Sequence, residues 1–257
     1  MKIAASDYDG TLFRDEKISA EDVAGVNKWR DAGNKFGVVS GRDYGMLMPQ
    51  LKHYGVNFDY TICNNGGLIC DIAGKVLWQG NIPREVLADI AKEKCVQNSF
   101  HFAFSAIDCT YLCHESEGSW IMREANQWDF QIKNISEDEI KNLPQIHQFS
   151  LGFLKAEESA EASKFLNERY GKFIHAYPNR CSLDITPQNV SKRQGIENLV
   201  ELMNWNGAEI FAIGDEINDL PMLEAFNGFT VDTARKEIRD KVKKICSGVG
   251  EMLLKNL

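Results

Sequence analysis

Four short apolar runs in this chain each break off into a cluster of glycine and polar residues. Lys2–Ser6 (KIAAS) runs into Asp7-Tyr8-Asp9-Gly10-Thr11, and Lys35–Val39 (KFGVV) runs into Ser40-Gly41-Arg42. Tyr60–Cys63 (YTIC) ends at Asn64-Asn65-Gly66-Gly67, and Glu209–Ile213 (EIFAI) ends at Gly214-Asp215. Such runs have the length of buried strands. Helical patterns separate them. One opens at Ser19 with Asp22 completing the cap and stops at Gly33. Another passes through Met46, Leu47 and Leu51 and stops near Gly55, and a third covers Lys192–Trp205 with Ile196, Leu199, Val200 and Met203 at helical spacing. One more strand is expected at Gly228–Val231. Strands alternating with helices predict an α/β fold, a Rossmann-like parallel sheet with helices on both faces. Ligands of such sheets bind beyond the carboxyl ends of the strands, and all four polar clusters fall there.

Between about 83 and 184 the rhythm changes. A helix is expected over Arg84–Cys95, followed by strands at HFAFSA and TYLCH, a helix over Gly118–Trp128 and a short helix capped by Ser136 and Glu139. Strand Gln148–Phe153, helix Ser159–Tyr170 and strands around Phe173–Tyr177 and Ser182–Ile185 complete the stretch. The pattern predicts an α+β module, residues 83–184, inserted into a parallel domain made of residues 1–82 and 185–257. Neither an internal repeat nor a low-complexity linker interrupts it.

With 29 basic and 37 acidic residues the net charge is −8, which argues against non-specific binding to nucleic acid or to an anionic membrane. The five tryptophans form no stacking array for bases. No window approaches the roughly 18 apolar residues of a membrane span, and residues 1–20 lack the apolar core of a signal peptide, so the cytoplasm is the expected location. Seven cysteines, an odd number, fit reduced thiols there. Cys109, Cys113 and His114 lack the fourth ligand of a tetrahedral zinc site. A monomer and a small homo-oligomer are both compatible with the sequence.

Convergence of the strand ends would place Asp7, Asp215 and Asp219 in one pocket, where they would not stay ionised together without a cation. Hard carboxylate oxygens with no histidine or thiolate among them suit Mg²⁺, with Asp7 and Asp215 as direct ligands. A metal-held carboxylate can attack phosphorus, and a second carboxyl nearby can serve as acid and then base. Asp7 as nucleophile and Asp9 as acid/base meet those needs, with Gly10 turning the chain sharply between strand and loop. Ser40, the Gly41 amide, Asn65, Lys192 and Asn218 would surround a phosphoryl group, and Asp219 would hold Lys192 or support the metal.

These residues carry a family resemblance. DYDGT (7–11), VVSGR (38–42), the lysine of VSKRQGI (190–196) and GDEINDLPML (214–223) resemble the ordered motifs of the haloacid dehalogenase superfamily. NNGG (64–67) resembles the Asn-Gly segment of its Cof-type phosphatases, and the long insert is similar to their type IIB cap. The resemblance implies Asp7 as nucleophile and metal ligand, and Asp9 as acid/base that also offers its backbone carbonyl to the metal. It implies Asp215 as the further ligand and Ser40, Lys192 and Asn218 on the phosphate. An aspartate at position 9 favours phosphate-ester hydrolysis over dehalogenation, because an alcohol leaving group needs a proton. Asn189 and Arg193 stand where the family usually has glycines flanking the Val-Ser-Lys core. The expected function is a Mg²⁺-dependent phosphatase acting on a small-molecule phosphate ester. A phosphosugar mutase using the same chemistry, a phospho-acceptor signalling domain and a non-catalytic phospholigand-binding protein are the alternatives.

Overall fold

The computed structural model describes residues 1–107, 109–114 and 119–257. They divide into two compact units, one of residues 1–40, 50–78 and 191–257, the other of residues 41–49 and 79–190. In chain order the elements are β1 (Lys2–Ser6), α1 (Ala20–Asp31), β2 (Lys35–Val39), α2 (Tyr44–His53), β3 (Tyr60–Cys63), β4 (Leu68–Asp71) and β5 (Val76–Gln79). Then follow α3 (Arg84–Ala91), α4 (Lys94–Gln97), β6 (His101–Ser105), β7 (Thr110–Cys113), α5 (Trp120–Gln127), β8 (Ile132–Asn134), β9 (Gln148–Gly152), α6 (Ala156–Tyr170), β10 (Ile174–Asn179) and β11 (Ser182–Pro187). The chain ends with α7 (Lys192–Leu202), β12 (Glu209–Ile213), α8 (Leu220–Ala225), β13 (Asn227–Val231), α9 (Lys236–Lys241), β14 (Ile245–Cys246) and α10 (Val249–Lys255).

The first unit is built on a sheet of order β14-β13-β12-β1-β2-β3-β4-β5. β1 pairs in parallel with both β12 and β2, and Ile3, Ala4 and Ala5 are fully buried in it. Ser6 lies opposite Ile213 on one side and Val38 on the other. That register makes Asp7, Gly214–Asp215 and Ser40 leave neighbouring strands at the same edge. β3 adds in parallel with Val39 opposite Ile62, which brings Asn64 and Asn65 to that edge too. β4 runs antiparallel to β3, because four residues can only fold the chain back on itself and cannot carry it across for a parallel return. Gly37 within β2 faces the Tyr60 ring, and a Cβ there would lie 2.2 Å from a ring carbon. The Tyr60 hydroxyl donates to the Ala4 carbonyl at 2.9 Å, so one side chain stitches β3 across β2 to β1.

At α1 the Ser19 hydroxyl accepts from the Asp22 N–H at 3.0 Å, the cap the sequence announces. The third helical pattern stops at Leu202, short of Trp205, because Asn204 takes a left-handed φ of 54°. Trp205 instead packs its ring 6.1 Å from that of Tyr60.

The second unit has a sheet of order β10-β11-β9-β6-β7-β8. One face, carrying Phe102, Phe104, Phe149, Leu151, Leu183 and Ile185, packs with apolar residues of α3 and α6. Phe104 and Phe149 stack at 4.4 Å. The single helix expected over Arg84–Cys95 is two, α3 and α4, because Glu93 takes an extended conformation (φ −65°, ψ 141°) between them. Of the helix expected over Gly118–Trp128, Gly118 lies outside the described residues, and α5 covers Trp120–Gln127. The insert expected over 83–184 falls inside a second unit of residues 41–49 and 79–190, in which β11 keeps pairing with β10 as far as Pro187 opposite Ile174. Among the described residues, no helix is long and apolar enough to cross a membrane.

His101 on β6 is fully buried between the Phe100 and Trp120 rings, at 4.7 and 6.0 Å. Burial lowers its pKa to about 4. The unfolded chain therefore binds a proton that the folded chain refuses, and stability falls as pH drops from about 6.5 toward 4. The loss is on the order of 3 kcal/mol. Urea unfolding at pH 7 and pH 4.5 should show this fall, and His101→Gln should flatten it. An equal fall in the variant would contradict the assignment.

Candidate active site

Asp7 is the first residue beyond β1, and its N–H still donates to the Ile213 carbonyl at 2.9 Å. The backbone hydrogen bond places its carboxylate at the sheet edge, where it is 5% exposed. Lys192 opens α7, behind the Ser191 cap, and is itself buried. Its Nζ donates to Asp7 Oδ1 and to Asp219 Oδ1, both at 2.6 Å. Asp219 Oδ2 accepts from the Asp215 and Glu216 N–H groups at 3.0 Å each. A Cβ on Gly214 would lie 2.5 Å from Asp219 Cγ, so the carboxylate can fold back onto its own loop only over a glycine. Asp215 Oδ1 accepts from the Thr11 hydroxyl at 2.6 Å. Gly10 turns at φ 85°, and a Cβ there would meet Asp215 Oδ2 at 2.3 Å.

Ligand oxygens of Asp7, Asp215 and Asp219 lie within 4.8 Å of one another, the metal-competent group among the described residues. Three carboxylates face one ammonium, leaving two negative charges unbalanced when all are ionised. Burial, then the Asp219 charge, pushes the Asp7 carboxyl well above its ordinary range, against the pull of Lys192. Burial likewise raises Asp215 to about 6, with the Thr11 hydrogen bond opposing. Burial alone would lower the Lys192 pKa, but Asp219 and Asp7 outweigh it and raise it. Hard oxygen donors whose protonation is favoured for want of positive charge are the donor set a divalent cation fits.

Ser40 is buried at the end of β2, and its carbonyl accepts from the Asn65 N–H at 2.9 Å. Asn65, buried at φ 53°, accepts on Oδ1 from Asn218 Nδ2 at 3.1 Å. A Cβ on Gly66 would lie 2.2 Å from the Ser191 carbonyl oxygen, so the NNGG turn and the start of α7 meet at a glycine. The first unit thus brings Asp7, Ser40, Asn65, Lys192, Asp215, Asn218 and Asp219 to one edge. Asp9 follows at that edge with its residue exposed to solvent, bridged to Phe13, and it is not one of the clustered carboxylates. Gly41 falls in the second unit, where its carbonyl accepts from Gln148 Nε2 at 2.9 Å. Arg42 pairs there with Glu124 at 2.5 Å.

The two departures from the family pattern have plain geometric outcomes. Asn189 sits at φ 63°, the left-handed region a glycine would supply and asparagine tolerates. Arg193 points to solvent on α7 and pairs with Glu197 at 2.7 Å. Sequence reasoning did not assign a role to Thr11, whose hydroxyl orients Asp215. Its only signal in the sequence is a threonine directly after Asp-Tyr-Asp-Gly.

Comparison with known proteins places this arrangement in a family. The model described as haloacid dehalogenase-like hydrolase matches residues 4–251. A protein named HMP-PP phosphatase from Yersinia pestis (strain Pestoides F) is 24% identical over 248 residues, covering 95% of this chain and 88% of that one. A haloacid dehalogenase-like hydrolase from B. subtilis superposes with a TM-score of 0.85 at 20% identity, covering 100% of both chains. A sugar phosphatase of subclass IIB of the superfamily superposes with a TM-score of 0.77 at 19% identity, over 100% of this chain and 97% of that one. The chain belongs to the haloacid dehalogenase-like hydrolases.

Removing the Lys192 ammonium should leave buried carboxylates without their counter-charge. Lys192→Met, studied in chelator, should lose about 3–5 kcal/mol of stability at pH 8. The difference from wild type should narrow as pH falls, since the raised Asp7 and Asp215 carboxyls take up protons and no longer need the counter-charge. Denaturation midpoints across that range check it, and a pH-independent difference would contradict the electrostatic account.

Proposed function

We propose that this chain is a Mg²⁺-dependent phosphatase that hydrolyses small phosphorylated metabolites, sugar phosphates or phosphorylated cofactors, through an aspartyl-phosphate on Asp7. The observation that carries the reading is the buried Lys192 bridge between Asp7 and Asp219, with Asp215 alongside. The ammonium beside Asp7 opposes the protonation that burial favours, a bound cation would complete the counter-charge, and the ammonium then faces the charge of the incoming phosphoryl group.

Asp7 and Asp215 side chains, with the Asp9 carbonyl, would hold the ion, and when bound it supplies positive charge to the phosphoryl oxygens. An Asp7 oxygen attacks phosphorus while the phosphorus–oxygen ester bond breaks, and the Asp9 carboxyl gives its proton to the departing oxygen. Asp9, now a carboxylate, takes a proton from water, whose oxygen attacks the same phosphorus. The Asp7–phosphorus bond breaks and inorganic phosphate leaves. The exposure of Asp9 suits a group that must exchange protons with solvent between turnovers. Ser40, the Gly41 amide, Asn65, Lys192 and Asn218 bind the phosphoryl group in this reading, and Asp219 holds Lys192. The first unit serves as the catalytic core and the inserted unit as the type IIB cap that selects the leaving group. Relatives named for a sugar phosphate and for HMP-PP support small metabolites as the substrate class.

Phosphate release from a panel of phosphorylated metabolites, with Mg²⁺ and with chelator, tests the reading. Metal-dependent release from a few related compounds is the expected result. No release from a folded, Mg²⁺-binding protein would overturn it. Asp7→Asn should abolish turnover with the fold intact. Asp9→Asn should slow alkyl phosphates by about 10²–10⁴-fold and an aryl phosphate by less, since its leaving group needs less protonation. Equal losses on both would remove the acid role.

A further inference from the structure

Beyond the nucleophile the chain makes a small hairpin. Arg14 and Lys17 exchange backbone hydrogen bonds at 2.9 and 3.0 Å across a two-residue turn. Asp15 and Glu16 in that turn stand at φ 49° and 59°, a left-handed geometry that non-glycine residues hold only under constraint. The constraint lies on the other side of Arg14. Its Nη2 donates to Asp22 Oδ2 at 2.8 Å, and its Nη1 donates to the Thr11 carbonyl. Asp22 has a side chain only 3% exposed, and its Oδ1 accepts from the Gly250 N–H of α10 at 2.7 Å.

Three glycines make this approach possible. A Cβ on Gly25 would lie 2.5 Å from Gly250 Cα, and one on Gly250 would lie 2.6 Å from the Glu21 carbonyl oxygen, so α1 and α10 cross with backbones in contact. A Cβ on Gly248 would meet Arg14 Nη2 at 2.6 Å and Asp22 Oδ1 at 2.7 Å. Thr11, gripped at its carbonyl by Arg14, gives its hydroxyl to Asp215.

We propose that Arg14 is a positioning residue: anchored by Asp22 of α1, which the Gly250 N–H of α10 holds in turn, it fixes the Thr11 segment and, through the Thr11 hydroxyl, the orientation of the Asp215 carboxylate for the cation. The inference rests on the metal role proposed for Asp215. Arg14 acts in this reading through its contacts with the Thr11 carbonyl and Asp22. A guanidinium can serve two acceptors in fixed directions at once, whereas an ammonium on a flexible stem holds one direction less well.

Mg²⁺ binding measured by titration calorimetry on wild type, Arg14→Met, Arg14→Lys and Thr11→Val tests this, alongside kcat, KM and the melting temperature in chelator. Thr11→Val, which removes the hydrogen bond to a ligand, should weaken Mg²⁺ binding about 10–100-fold. Arg14→Met, one link further out, should weaken it roughly 3–10-fold and lower kcat at limiting Mg²⁺, with substrate KM little changed. Arg14→Lys should recover part of the loss. A lower melting temperature with unchanged Mg²⁺ affinity in Arg14→Met would make Arg14 merely structural and overturn the inference. Wild-type protein that binds no Mg²⁺ would overturn the metal assignment itself, and the inference with it.

Discussion

The Lys192 ammonium, 2.6 Å from both Asp7 and Asp219, is the contact on which the rest of the site depends. All three groups are buried, so each alone would lose several kcal/mol of hydration. Together they compensate one another, and Asp219 is further held by two backbone N–H groups. A buried ion pair of this kind adds little net stability compared with apolar packing, but it fixes where the charges stand. Its value here is geometric. Asp7 is presented at the strand end in one orientation, and the residual negative charge of the cluster makes the site receptive to a cation.

The sheet supplies the addresses and the glycines supply the clearance. Register opposite Ser6 sets Asp7, Ser40 and Gly214 side by side, although Asp7 and Lys192 are 185 residues apart in the chain. At Gly10 and Gly214 a methyl group would strike Asp215 or Asp219, so these positions belong to the carboxylates' space as much as to the turns. Placing hard charges this close requires the backbone to come closer than side chains permit.

Much of this arrangement is legible in the sequence because short apolar runs ending in polar clusters have few ways to fold. The strands that carry the site and the Ser19 cap follow from periodicity, and charge leaves Asp219 either holding Lys192 or supporting the metal, of which the structure shows the contact with Lys192. Other parts are not legible. β4 is four residues, Leu-Ile-Cys-Asp, directly after the NNGG turn, and β8 is a three-residue strand, Ile-Lys-Asn, too short to show alternation. The break between α3 and α4 is hidden by apolar residues that keep helical spacing across it. The Thr11–Asp215 and Asp22–Gly250 contacts join residues 204 and 228 positions apart; nothing local distinguishes Arg14 from surface charge, and the cap role of Asp22 gives no hint of its side chain's contact with α10. Asn189 reads as a departure from pattern, and its left-handed φ of 63° is a conformation glycine adopts readily.

The central claim is that Asp7 carries the phosphoryl group. The most direct measurement uses Asp9→Asn protein, in which the second step lacks its base, mixed rapidly with ³²P-labelled aryl phosphate and Mg²⁺ and quenched in acid. Proteolysis and peptide mapping should then find the label on the peptide containing Asp7, lost when Mg²⁺ is withheld. Phosphate formed with no labelled protein at any time, or label on another residue, would contradict the account.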